Sequence, residues 1–114
     1  MSESKTGVEL IATERQRQVE QEGWTPAHDD KHADGVLAQA AGCYALQAGC
    51  PDFVRDHNRA ERTVPAPWPW HESWWKPGSD NSNASRIREL VKAGALIAAE
   101  IDRLQRQEPT HDHD

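Results

Sequence analysis

The sequence predicts an all-α fold: a small helical bundle of three main helices that carries a long Trp/Pro-rich loop. Apolar residues recur at the helical period in three separate stretches of the chain. Glycines follow the first two of these stretches as helix stops, at Gly23 and at Gly49-Cys50-Pro51. Pro51, Pro65, Pro67, Pro69 and Pro77 fall together between the second and third stretches, where they break any long regular element.

The first helix spans Val8 to Gln21, with Val8, Ile11, Ala12, Arg15 and Val19 at helical spacing and Glu9, Arg17 and Glu20 facing elsewhere. The second begins after Asp34, a candidate cap, and runs through Val36, Leu37, Ala40, Ala41 and Tyr44 to Gly49. Its alanines imply close packing against another helix. A short helix is expected around Asp52 to Arg59, and Gly78-Ser79-Asp80-Asn81-Ser82-Asn83 reads as an exposed turn. The third main helix carries an apolar stripe of Ile87, Leu90, Val91, Gly94, Ile97, Ala98, Ile101 and Leu104, with Asn83 or Ser85 as cap. Arg86, Arg88 and Lys92 lie near its start and Glu100 and Asp102 near its end, against the preference of the helix dipole, so partners outside the helix are expected. Gly94 interrupts the stripe, which implies close approach of another helix or of a tryptophan.

At 114 residues the chain is sized for one domain, expected over 8–106 between a flexible segment 1–7 and a disordered acidic, His-containing tail 107–114. The apolar fraction of 36% and mean hydropathy of -0.90 are low for a self-sufficient core, so a homo-oligomer is expected. Thirteen basic against nineteen acidic residues give a net charge of -6, which disfavours duplex nucleic acid as the partner. Neither a leader nor a membrane span is expected, and the two cysteines, Cys43 and Cys50, read as reduced thiols; a cytoplasmic protein is the expectation.

Two segments concentrate the chemistry. Residues 22–35 hold Trp24, His28, Asp29, Asp30, His32 and Asp34, while residues 68–77 hold four of the five tryptophans with His71 and Lys76. These segments are expected to meet. Indoles stack on nucleobases, and Lys76 and His71 suit phosphate. The candidate ligand-binding residues are therefore Arg15, Trp24, His28, Asp29, Asp30, His32, Trp70, Trp74, Trp75 and Lys76. Arg15, beside an apolar face, either snorkels or pairs with a buried carboxylate such as Asp29, Asp30 or Glu100. His28 and His32 would share one face of a helix, as a transition metal requires, and the Asp29-Asp30 carboxylates suit magnesium. Aspartates before a helix also serve as ordinary caps, and tryptophans in a chain short of aliphatics also fill gaps between helices.

The pattern Glu14-Arg15-Gln16-Arg17-Gln18, Glu22-Gly23-Trp24-Thr25, His28-Asp29-Asp30, Trp68-Pro69-Trp70, Trp74-Trp75-Lys76-Pro77 and Leu90 to Ile97 with Ala99-Glu100-Ile101 resembles a family of small bacteriophage and prophage proteins, over about residues 8 to 106. The resemblance implies a phage accessory protein made inside the bacterial host cell. A more distant similarity is to the all-α nucleotide pyrophosphohydrolases of the MazG type, which hold magnesium with carboxylates three apart on helices. Here Glu20 and Glu22, like Glu100 and Asp102, are two apart and diverge. The expected function is non-catalytic and needs no cofactor: binding of a nucleotide-like small molecule or a host protein, in a counter-defence role. The alternative is a magnesium-dependent nucleotide hydrolase using Asp29, Asp30, Asp34 and Glu100 as metal ligands.

Overall fold

A computed structural model of the chain describes residues 5–32 and 34–107. Helix α1, Gly7–Gln21, starts at a capping box in which the Thr6 hydroxyl accepts from Glu9 N and the Glu9 carboxylate accepts from Thr6 N. Two otherwise unpaired backbone donors are satisfied this way. A single turn, α2 (Pro26–Asp29), follows with Thr25 as N-cap and Pro26 at its first position. Helix α3 is Val36–Gly49, α4 is Asp52–Glu61, a 3-10 turn covers Glu72–Trp74, and α5 is the 25-residue helix Asn83–Gln107. The fold is all-helical, with no strand among the described residues. Helices α1, α3 and α5 match the three expected, and α4 matches the short helix expected at Asp52. Of the expected N-terminal and C-terminal flexible segments, residues 1–4 and 108–114 lie outside the described residues. No described helix is long and apolar enough to cross a membrane.

Caps depart from expectation at two places. Asp34 does not cap α3. The helix instead opens from two consecutive left-handed residues, Asp34 at φ 68 and Gly35 at φ 77, with no side-chain bond to its first turn. Aspartate and glycine are among the few residues that adopt this conformation readily. At α5 the cap is Ser82, whose hydroxyl accepts from Ser85 N, and not Asn83 or Ser85. Asp80 accepts in turn from Ser82 N, Ser82 Oγ and Ser85 Oγ, and these bonds hold its carboxyl down at about 2.

The core lies where α3 packs along α5, formed by Leu37, Ala40, Ala41 and Tyr44 against Ala93, Leu96 and Ala99. Small side chains let the two helices approach closely, and Trp24, Trp68, Trp70 and Trp75 close the core at one side. Around it the buried residues are polar to an unusual degree. Arg55 of α4 is 0% exposed and Glu89 of α5 is 1% exposed. Arg55 donates twice to the Glu89 carboxylate, at 2.6 and 2.9 Å, and also to Gln47 O, Asp80 O and Asn81 Oδ1. All five guanidinium donors are thereby used. Glu89 accepts further from Gly78 N at 2.7 Å, so one ion pair ties α3, α4, the 78–81 turn and α5 together.

Helix α1 turns its polar residues inward. Glu14 and Gln18 are buried, Val8 is 79% exposed and Ala12 is exposed, while Ile11, Arg15 and Val19 are half-buried, so only part of the face read from spacing turns inward. The reason is charge: Glu14 receives Arg17 of its own helix and Arg88 of α5. Burial pushes the Glu14 carboxyl up, but the two arginines together outweigh it and hold it at about 2. Where α1 crosses α5, Ile11 lies against Gly94, and a Cβ there would sit 2.4 Å from Ile11 Cδ1. The expected close approach at Gly94 is thus made by helix α1. The cations at the start of α5 do find partners outside it, Arg86 on Ala48 O, Cys50 O and Asp52, Arg88 on Glu14, and Lys92 on Lys76 O. Glu100 differs, pairing with Arg103 one turn along α5 itself.

Candidate functional site

The two segments singled out by composition meet. Helix α2 and the turn after it are fixed from behind by two arginines. Arg15 of α1 donates to Asp29 Oδ2 at 2.5 Å and to Trp24 O at 3.2 Å, and Arg106 of α5 donates to Asp30 Oδ1 at 2.7 Å and to Pro26 O at 3.1 Å. Asp29 is 1% exposed, so the pair with Arg15 is sheltered from water and welds α1 to the turn.

The tryptophan loop is fixed from its own backbone. Trp68 Nε1 donates to His71 O, the His71 imidazole accepts from Ser73 N, and Lys76 N donates to the Tyr44 hydroxyl. Adjacent indoles diverge. Trp75 turns inward onto Tyr44 and Trp68, with ring centroids at 4.7 and 5.0 Å, whereas Trp74 is 55% exposed.

Between the segments runs a chain of rings. Trp24 and His28 lie in planes 3° apart with centroids at 6.2 Å, His28 meets His32 edge-on at 4.8 Å, and His32 meets Trp70 at 5.4 Å. These rings, with Asp29, Leu37, His71 and Trp74, line a recess of about 290 Å³, near the lower limit of small-molecule sites. Burial, and after it the neighbouring His28, lower the His32 pKa below its ordinary value, so His32 presents a neutral imidazole at pH 7. His28 Nδ1 is buried without a hydrogen-bond partner among the described residues, 3.5 Å from Asp29 Oδ1. A second recess of about 100 Å³ shares the walls Trp24, Trp70 and Trp74 and adds Gln18, Lys76 and Lys92.

Of the expected ligand-binding residues, Trp24, His28, Asp29, His32, Trp70 and Trp74 are brought together at the larger recess. Lys76 lines the smaller one and holds its ammonium 5.8 Å from the Trp74 ring. Arg15 and Asp30 stand behind the site in ion pairs, and Trp75 belongs to the aromatic wedge on Tyr44. Leu37 was not singled out from the sequence, because nothing distinguishes it from the other core residues of α3.

The metal set of the alternative reading is not assembled. Asp29 is taken by Arg15, Asp30 by Arg106 and Glu100 by Arg103, and Asp34 stands exposed in the turn before α3. Among the described residues no group of three or more His, Cys, Asp or Glu is placed to hold a metal ion. His28 and His32 are neighbours as their spacing implied, but in edge-on ring contact and without a third ligand. No protein-family model, curated protein or solved structure matches this chain.

Proposed function

We propose that this chain is a phage-type accessory protein, made in a bacterial cell, that binds a nucleotide-like small molecule without turning it over. The recess carries the reading: three indoles and three imidazoles from distant parts of the sequence line one cleft, with Asp29 in its wall. Indole faces give a planar heteroaromatic ring roughly 1–3 kcal/mol per stacked base, and the imidazoles of His32 and His71 in the recess wall supply polar contacts at the ring edge. The segments that resemble phage proteins, around Trp24, His28-Asp29 and Trp70, supply walls of this recess. Sequestration of such a ligand is how the chain would serve counter-defence. A homo-oligomer is part of the same proposal, supported by an apolar fraction of 36%.

Tryptophan emission tests this directly. Nucleoside mono- and triphosphates are titrated into the wild-type chain and into Trp74→Ala, with calorimetry alongside. Saturable quenching that weakens at least tenfold in the variant is expected; a flat titration across the panel would remove the reading. The same triphosphates incubated with magnesium should release no pyrophosphate, and release that is lost in Asp30→Asn would put the hydrolase first.

A further inference from the structure

Helix α5 has a second apolar face that its own chain leaves in solvent. Ile87, Leu90, Ile97, Ile101 and Leu104 are each 46% to 50% exposed. Together with Gly94 they recur at alternating intervals of three and four residues, the repeat of a coiled-coil seam. With successive residues about 100° apart around the helix, no charged residue between Ile87 and Leu104 falls on the arc that holds this stripe. Glu89, Glu100 and Arg103 are buried in the chain, Arg88 meets Glu14 and Lys92 meets Lys76 O. The helix therefore carries one apolar face against α3 and a second apolar stripe left half-exposed, and a contiguous exposed apolar stripe marks an interaction surface.

The stripe has one gap, at Gly94, and Ile11 of α1 fills it. Beside it an open groove of about 730 Å³ lies between α1 and α5, bounded on its apolar side by Leu10, Ala84, Ile87 and Val91. Five half-exposed aliphatic side chains leave roughly 450 Å² of apolar surface, as large as the largest patch on a typical monomer. That is the centre of an interface of about 800 Å² per partner, the size a stable dimer needs.

We infer that this face is the interface of a homodimer, in which the α5 stripe of one copy packs on the same stripe of a second. A two-fold axis brings like patch onto like patch, so a seam of one repeat and no charge is its own complement. The inference rests on the oligomer reading above and is independent of the ligand.

Sedimentation equilibrium on the full chain decides it. The wild type is expected at twice the chain mass of 12.8 kDa. Ile97→Glu and Ile101→Glu should each raise the dissociation constant at least 100-fold while keeping the helical circular dichroism, and Leu46→Ser on the exposed side of α3 should leave it unchanged. Hydroxyl-radical footprinting of the wild type reads the same face without substitution, as protection of Ile97, Ile101 and Leu104 that rises with concentration. A wild-type dimer that survives both glutamates, or whose footprint there does not change with concentration, overturns this interface and leaves the oligomer reading standing. A wild type that is monomeric at every concentration overturns both.

Discussion

Replacing Arg55 by methionine should be among the most damaging substitutions in this protein, although Arg55 is remote from the recess. Methionine keeps much of the length of the side chain and removes the guanidinium. The Glu89 carboxylate, 1% exposed, would then keep only the bond from Gly78 N, and the carbonyls of Gln47 and Asp80 would each lose a donor. Removing one partner of a buried ion pair costs about 3–5 kcal/mol, because the other charge is left uncompensated. Against a typical total of roughly 5–15 kcal/mol this is a large share, and it corresponds to a drop in Tm of roughly 15 °C for a domain of this size. Glu89→Gln should cost a similar amount from the other side of the pair. The double variant Arg55→Met/Glu89→Gln removes both charges, so its cost should fall below the sum of the singles by about 2 kcal/mol. Urea unfolding followed by tryptophan emission measures all four species. Single costs under about 1 kcal/mol, or strict additivity in the double variant, would refute the claim that this pair holds the helices together.

Trp75→Ala should cost about 3 kcal/mol of stability, since Trp75 wedges onto Tyr44 and Trp68, while Trp74→Ala should cost under about 1 kcal/mol and act on ligand binding alone; urea midpoints and titrations of the two variants separate these roles. Glu14 predicts an acid dependence: its folded pKa of about 2 lies below its ordinary value of 4.5, so its contribution is complete above the unfolded value and is lost as pH falls from there toward 2. The wild-type urea midpoint should therefore fall more steeply than that of Glu14→Gln between those two limits, and parallel curves would contradict the assignment. Gly78→Ala would place a Cβ 2.5 Å from Ser85 Cβ and 3.0 Å from Glu89 Oε2, so it should lower the Tm by several degrees through the Arg55 pair; thermal melting checks it, and an unchanged Tm would count against the tight turn.

The helices and their ends were largely legible in the sequence because apolar period, glycine and proline act locally. The meeting of residues 24–32 with 68–75 was legible too, since several indoles in one loop need a surface to cover. Which face of each helix turns inward was not. On α5 the alanine face lies against α3 while the isoleucine and leucine face is exposed, because a helix with two apolar stripes offers two candidate faces and only the partner's shape selects one. On α1 the buried residues are Glu14 and Gln18, which a pattern of apolar spacing assigns to solvent. Their burial depends on Arg88, 74 residues away from Glu14 in sequence. Arg55 and Glu89 drew no notice for the same reason: a charge reads as surface until its partner is located. Asp29 and Asp30 of the alternative metal set are likewise adjacent in sequence, yet they and Glu100 are each consumed by an arginine, and Asp34 stands apart in the turn before α3.

If the recess between the histidine-and-aspartate turn and the tryptophan loop is a ligand site, a nucleotide must perturb both segments together. Heteronuclear NMR of the labelled chain, titrated with adenosine and guanosine 5′-monophosphate, follows the indole and imidazole signals individually. Saturable shifts are expected at Trp24, His28, His32, Trp70 and Trp74, with the Trp75 indole little changed. Shifts spread evenly over the surface, centred on α4, or absent would contradict a ligand site there.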